Sequence, residues 1–519
     1  MYSSYYLLEK SVISSIANKK YGDALDFVQK FVTSVMNEQQ APGELIGSRR
    51  LDSLCELIGE SFFECNKALL HAFKPQEAQF DSIVVLCTGL YRYGGTSLVI
   101  EDIINAHKDA KCTVLVTNLL NDMSKDDLKA RSFADSAGVV ETAPTGNSQE
   151  KLKWLMEKLF SISPTRIFIL NHHQDSVIIS SVQPFIYSTK VIFYHHADHN
   201  LCLGVHLKNT IHIDPHNVGF FNCKINEKIT DNYYLPLLVD DKACCVKVDN
   251  FLQNEELTTC SSATYHKFNN FYLYPYVDLI AERLVARGGK HVHIGNIPVY
   301  ELARIANKLR ENRVDSDRFM HIPWVPSLWN ALIENKVDLF ISSFPIGGAR
   351  TLIEVMGAGL PILMHENYLS RFHSSRDISY PDAFIWKYPD EYISIISNID
   401  KKLLQVHSEK SRKHYIEHYS STTINFDCEI KKICAGEVSV KAYPLYSYNP
   451  DNLDRLLHFS HLSYLTVNNV AQQFLTSNTW KLGYLFRVIT KILIKIKHLI
   501  RRLVWNVKGV FSSCKYKHK

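Results

Sequence analysis

Between Val337 and Met364 the chain reads VDLFISSFPIGGARTLIEVMGAGLPILM. The apolar run Val337–Phe344 has the composition of a buried parallel strand, and Pro345 stops it. Gly347 and Gly348 let the backbone approach whatever lies above the strand end. The spacing predicts a helix from about Ala349, with its free N–H groups aimed at the same point. That geometry favours a phosphate or diphosphate, although an ordinary loop in a parallel sheet has the same outline. Arg350 stands in the first helical turn, where the dipole disfavours a cation, so a functional reason for it gains weight. Thr351 lies beside it. Glu354, about one and a half turns in, is spaced to accept hydrogen bonds from a ribose diol.

Two histidine-rich loops form the second concentration of chemistry. NHHQDS (Asn171–Ser176) follows the apolar run RIFIL, and YHHADHN (Tyr194–Asn200) follows KVIFY. Both are expected at the carboxyl ends of strands. Histidine is a natural base near neutral pH, so His195, His196 and His199 are candidate bases. Asp198 or Asp175 would orient an imidazole or serve as base itself, and His172 and His173 are candidate cleft contacts. A metal site is the competing reading, but these loops lack the cysteine or helical i, i+4 pair usual in structural zinc sites, and no metal is expected. TGLYRYGGTS (Thr88–Ser97) has Gly89 and Gly94 at P-loop spacing, yet Gly95 stands where a P-loop needs lysine. Nucleotide triphosphate hydrolysis is therefore excluded, and what remains is a glycine loop, Gly94-Gly95, at a cleft edge. Asp315-Ser-Asp317 lies in the polar stretch ENRVDSDRF and reads as a turn.

The pattern FPxGGxxTxxExxxxGxP (Phe344–Pro361) resembles the nucleotide-sugar signature of GT-B glycosyltransferases. It is most similar to bacterial enzymes of the O-GlcNAc-transferase-like and cytoplasmic protein-glycosylating groups. The similarity extends through HVHIGN (His291–Asn296), FMHIPWVPSLWNAL (Phe319–Leu332) and, more weakly, YHHADHNLCLG (Tyr194–Gly204), covering roughly Ser82 to Asn398. It implies two Rossmann-like doubly wound α/β domains facing a cleft. It also implies a nucleotide diphosphate sugar as donor substrate, a UDP-sugar first among them, with no required cofactor. Gly347, Gly348, Arg350, Thr351 and Glu354 would hold the donor. His293 and Gly295 would line the diphosphate site, and Trp324 would wall the nucleobase pocket. The acceptor would be a hydroxyl of a glycan or a lipid-linked molecule, with a protein acceptor as the alternative. Many retaining members carry E-x7-E, but Ile346 occupies the first position here, which favours an inverting displacement. A degenerate scaffold that binds without turnover is the non-enzymatic reading.

The pattern of elements agrees with that architecture. Residues 1–75 read as helices. From Ser82, strands at Ile83–Cys87, Cys112–Asn118, Arg166–Leu170 and Lys190–Tyr194 alternate with helix-length stretches. A second set starts at His291. The expected division is a helical region 1–75, a first Rossmann-like domain 80–270, a second 285–437, and a helical tail 438–519. The link between the two domains is expected at about Thr258–Gly289.

The net charge of +5 over 519 residues hides a division. From Arg455 to Lys519 there are twelve Lys and Arg and no acid, while the rest carries 46 basic and 53 acidic residues. Cysteine usage, without paired spacing, reads as reduced and cytosolic. No run reaches the 18 apolar residues of a membrane span. Within Leu482–Phe511, however, Leu485, Ile489, Ile492, Ile496, Leu499 and Leu503 recur every three or four residues, with Arg487, Lys491, Lys495 and Arg502 largely opposite. This is the pattern of an in-plane amphipathic helix at an anionic membrane surface, here the inner face of the cell membrane, and no nucleic-acid partner is expected. Full-length protein should co-sediment with anionic vesicles, less so at high salt, and a chain truncated near Thr479 should stay in the supernatant. Equal pelleting of both forms would remove the membrane role from this segment.

Overall fold

The computed structural model describes residues 5–37, 43, 45–75, 81–91, 95–124, 138–247, 249–268, 272–438, 440–450 and 453–457. Two all-parallel sheets dominate residues up to Pro450. The first has seven strands in the order β3-β2-β1-β4-β5-β6-β7: β1 Ser82–Cys87, β2 Lys111–Val116, β3 Gly138–Thr142, β4 Arg166–Leu170, β5 Lys190–Tyr194, β6 Thr210–Asp214 and β7 Asn232–Tyr234. The second has six, in the order β10-β9-β8-β11-β12-β13: β8 Thr258–Ser262, β9 Lys290–Ile294, β10 Phe319–Ile322, β11 Leu339–Ile341, β12 Ile362–His365 and β13 Phe384–Trp386. In both, the strand order reverses beside the first strand of the set, as in doubly wound sheets.

Alternation along the buried strands decides which core each side chain joins. Ile83, Val85 and Cys87 of β1 face one core, which also contains Val99, Ile103 and Ile104 of α4 (Gly95–Ala106). Val84 and Leu86 face the other. There they meet the N-terminal helices, α1 (Tyr5–Ala17), α2 (Tyr21–Met36) and α3 (Arg49–His71), through residues such as Val28, Leu54 and Ile58. Those helices therefore complete one face of the first sheet. The buried Asp52 carboxylate of α3 fixes them further, accepting from Gly204 N at 2.7 Å and His206 N at 2.8 Å. Helix α5 (Ser148–Ile162) opens on an Asn147–Glu150 capping box, which satisfies its first N–H groups. α6 (Ser176–Ser181) is capped by Asp175, which accepts from Ile178 N at 3.0 Å, and α7 (Asn217–Ile225) follows β6.

Three expectations change. Thr258–Ser262, assigned above to the first domain, is β8, and it lies between β9 and β11 in the second sheet. Its sequence, TTCSS, is small and polar, so hydropathy alone does not mark it. Residues 276–287 are likewise no linker but α8 (Tyr276–Arg287), buried through Leu279, Ile280 and Leu284. The second correction is at the other end. Residues 440–450 contain no helix; they run along the second domain, with Tyr443 donating to Asp377 O and Tyr446 to Ser379 O. The Leu482–Phe511 segment lies outside the described residues. Third, the chain returns to the first domain before residue 437. Val239 and Ser420 form a parallel bridge, and α14 (Phe426–Cys434) packs on α4. It comes after helices of the second domain that include α9 (Val299–Glu311), α10 (Leu328–Glu334), α11 (Ala349–Gly357), α12 (Pro389–Asn398) and α13 (Lys401–His418), which packs on α11. Asp315 precedes, and Asp317 lies within, a short 3-10 turn at Ser316–Arg318, the polar turn expected of them.

One carboxylate ties the connecting segment to the second sheet. Asp338, buried at the start of β11, accepts from Lys247 Nζ at 2.7 Å, Leu252 N at 3.2 Å and Thr258 N at 2.9 Å. Lys247 also donates to Val337 O at 2.7 Å. Replacing Asp338 by alanine leaves a buried ammonium and two N–H groups without their acceptor. The expected loss is about 3–5 kcal/mol of stability, to be measured by urea unfolding. A loss below about 1 kcal/mol would show that the segment is held by apolar packing instead.

Candidate active site

A cavity of about 650 Å³ lies at the carboxyl ends of both sheets. Parallel sheets place ligands there because the loops after the strands converge at that edge. From the first sheet come Thr88, Gly89 and Gly95 after β1, Asn171–His173 after β4, His196–His199 after β5 and His216 after β6. From the second come His266 and Lys267 after β8, Ile346–Thr351 after β11, and Arg371–His373 after β12.

The wall contributed by the second sheet is electropositive. Gly348 is the N-cap of α11, and no side chain caps this helix. Its first N–H groups therefore face the cavity without internal partners. Gly347 is required by close approach, since a Cβ there would sit 2.6 Å from Ser375 Oγ and 2.8 Å from Ser374 O. Lys267 Nζ donates to Gly347 O at 3.0 Å. Burial pushes its ammonium pKa down, as for a cation lacking a counter-charge. Arg350 lines the same wall, with its Nη1 buried and without a hydrogen-bond partner. Arg371, by contrast, is already held by Asp377, with Nε to Oδ2 at 2.6 Å. Neither Lys267 nor Arg350 has an ion-pair partner among the described residues.

The opposite wall is imidazole-rich. His216 Nδ1 lies 2.7 Å from Asp198 Oδ2, and its Nε2 has no partner. Burial would lower the His216 pKa, but the Asp198 carboxylate outweighs it and holds it above the ordinary histidine value. Burial likewise opposes ionisation of Asp198, and His216 overcomes it, so the carboxyl sits below the usual range. His196 abuts the glycine loop: a Cβ on Gly95 would lie 3.2 Å from its Cε1. Burial first, and then the neighbouring His216, lower its pKa to about 4. His199 packs edge-on against His173, with ring centroids 4.8 Å apart, and 6.3 Å from His373 of the second domain. Burial lowers all three, His373 to about 4.

Of the residues singled out in the sequence, the structure brings Gly95, His172, His173, His196, Asp198, His199, Gly347, Gly348, Arg350 and Thr351 to this cavity. Others are used elsewhere. His195 is wholly buried beneath the wall, with Nδ1 3.0 Å from Asp214 Oδ1, because β5 turns alternate side chains to opposite faces. Asp175 is also wholly buried, accepting from Thr88 and Thr117 at 2.8 and 2.6 Å besides capping α6. Glu354 projects off the cavity, and its carboxylate lies 3.4 Å from Trp329 N at the start of α10. His293 is spent on Tyr276 Oη at 2.7 Å and Ala263 O at 3.1 Å. Gly295 serves packing: with φ at +140°, a Cβ would lie 2.0 Å from Ala263 O. Trp324 is half exposed and outside the cavity. Gly94 lies outside the described residues. Sequence reasoning missed Lys267 and His216. His216 stands in DPHN, directly after a strand whose polar sequence, TIHID, concealed it.

No protein-family model matches the chain, and no curated protein matches it in sequence. Solved structures do match. The Anabaena protein HepE in complex with UDP is 11% identical, covers 68% of this chain and 99% of its own, and superposes with a TM-score of 0.52. The lipopolysaccharide outer core galactosyltransferase WaaB, in its apo form, is 14% identical, with 68% and 98% covered and a TM-score of 0.50. The fold is GT-B. Its two facing parallel sheets, and the cavity at their shared edge, are the architecture of that fold.

Inorganic pyrophosphate probes the electropositive wall directly. Lys267→Met should weaken its binding by about 10- to 150-fold, the loss of a charged hydrogen bond worth about 1.5–3 kcal/mol. Isothermal calorimetry measures this, and unchanged affinity in a folded variant would place the anion away from Lys267.

Proposed function

We propose that this chain is a glycosyltransferase. It moves a sugar from a nucleoside diphosphate sugar, a UDP-sugar first, to a hydroxyl of a glycan or lipid-linked acceptor. The observation that carries the reading is the cavity itself: an uncapped helix N-terminus with two cations that have no ion-pair partner among the described residues faces an Asp198-oriented imidazole. The UDP held by HepE supports the nucleotide assignment.

In this reading the diphosphate rests on the Gly347-Gly348 backbone and the first turn of α11. Lys267 and Arg350 stabilise the charge that develops on the departing nucleoside diphosphate, so no metal is demanded there. His216 Nε2 takes the proton of the acceptor hydroxyl. Asp198 fixes the ring orientation through Nδ1, in the manner of other base-orienting carboxylates. Asp198 is committed to His216, and Ile346 stands where retaining members carry the first Glu of E-x7-E, which supports a single displacement with inversion. His196 and His199, held neutral by burial, line the path of the acceptor without repelling the cations. Burial of Glu354 against α10 leaves the ribose to other contacts. The basic, apolar-periodic segment Leu482–Phe511 supports placement at an anionic membrane surface, where a lipid-linked acceptor resides.

His216→Asn keeps the ring-sized polar group but not the base. It should lower UDP release from a UDP-sugar, assayed with a membrane extract as acceptor source, by about 10²–10⁴-fold. Binding of UDP should be unchanged by calorimetry. Near-normal turnover in this variant would move the base to His196 or His199. Absence of UDP release by the wild-type chain across a panel of UDP-sugars would instead favour a binding scaffold.

A further inference from the structure

Beneath the histidine wall, and separate from the cavity, four buried side chains converge. His195 directly follows β5, His212 and Asp214 lie two apart on β6, and Cys223 comes from α7. All four are buried, and their ligand-type atoms lie within 4.8 Å of one another. Strand register brings them together. Phe193 pairs with His212 and Tyr194 with Ile213, so His195 falls opposite Asp214, and i, i+2 alternation turns His212 to the same face. α7 folds back over that face and lowers Cys223 into it.

The separations approach those of a coordination sphere, three of the four closest falling within it and His195 to Asp214 being shorter. His195 Nδ1 is 3.0 Å from Asp214 Oδ1, and His212 Nε2 is 3.4 Å from the same oxygen. Cys223 Sγ is 3.5 Å from His195 Nδ1 and 3.6 Å from Asp214 Oδ1. Four ligands arranged tetrahedrally about zinc, at about 2.0–2.1 Å for nitrogen or oxygen and about 2.3 Å for sulfur, stand roughly 3.3–3.7 Å apart. Asp214 Oδ2 is buried with no hydrogen-bond partner among the described residues, while Oδ1 alone meets His195, His212 and Cys223. A buried carboxylate demands compensation. One divalent cation supplies it with no residual charge, balancing one carboxylate and one thiolate beside two neutral imidazoles.

We propose that His195, His212, Asp214 and Cys223 form a structural zinc site. Four protein ligands and full burial leave no position for substrate, as in closed structural centres. Binding expels the thiol proton of Cys223 to solvent, and the two imidazoles coordinate through their lone pairs. The site clamps β5, β6 and α7 at the point where the loops carrying His196–His199 and His216 leave the sheet. Its contribution to the reaction is to position those loops. It stands on this geometry alone, whatever the substrate proves to be.

The test uses full-length protein freed of any polyhistidine tag. Elemental analysis after equilibration with zinc and dialysis should find about one zinc per chain. X-ray absorption should show one sulfur at about 2.3 Å with nitrogen and oxygen at about 2.0–2.1 Å. Cobalt(II) exchanged into the site should give a thiolate-to-metal charge-transfer band. Cys223→Ser should lose that band and weaken metal retention roughly tenfold or more. His196→Ala, which removes a cavity imidazole, should retain the metal. Wild-type protein without zinc after equilibration, or bound zinc with no sulfur neighbour, would overturn the proposal. Neither of those readings depends on any variant folding. Loss of the metal in His196→Ala would place it in the cavity instead, and overturn the proposal equally.

Discussion

Every strand in both sheets runs parallel to its neighbours, and that constraint organises the molecule. Parallel strands put all their carboxyl ends on one edge and need helical crossovers on both faces. Two such sheets facing each other concentrate their loops in one cavity. The N-terminus of α11 can then point into the space between them, with its backbone donors unspent. Gly347 is demanded there by contact with Ser374 and Ser375. Lys267, on the loop after the neighbouring β8, completes the electropositive wall. The chemistry of the site thus follows from where a parallel sheet must leave its loop ends.

The opposite wall shows how burial selects among like residues. Several imidazoles line it, and desolvation holds most of them neutral. His216 differs because Asp198 reaches its Nδ1. That pairing reverses the effect of burial and orients the ring. His195, one residue from His196 in sequence, is on the other side of the strand and meets Asp214 and Cys223. A single step along a strand exchanges the cavity for the layer below it. The two neighbours therefore serve a cleft and a buried cluster respectively.

The remaining architecture keeps the two sheets facing each other. The N-terminal helices complete one face of the first sheet and share its apolar core, which fixes them to the domain rather than leaving their buried faces for a partner. Asp338 gathers the connecting segment onto β11 through a lysine and two backbone donors. The chain then crosses back, by way of the Val239–Ser420 bridge and α14, so that both sheets are bound at two places. A cavity lined from both sides keeps its geometry only if those ties hold.

What was legible in the sequence was local. The strand, glycine loop and helix of Val337–Met364 are contiguous, and the apolar runs of β1, β4, β5 and β12 are buried on both faces, so composition alone marks them. From these the two doubly wound domains follow. The strands that composition did not mark, β3, β6 (TIHID), β8 (TTCSS) and the three-residue β7 and β13, carry polar residues or are very short, and their place in the sheets comes from pairing with neighbours. The same holds for the site. Glycine spacing located the Gly347-Gly348 loop and the helix start that line the cavity, because a turn and a helix start are encoded within a few residues. Which histidine meets Asp198, which meets Cys223, and that Lys267 reaches Gly347 from another strand depend on register and on crossovers spanning tens of residues. No spacing along the chain records those contacts, since they exist only when the sheets have formed; only the tertiary structure decided them.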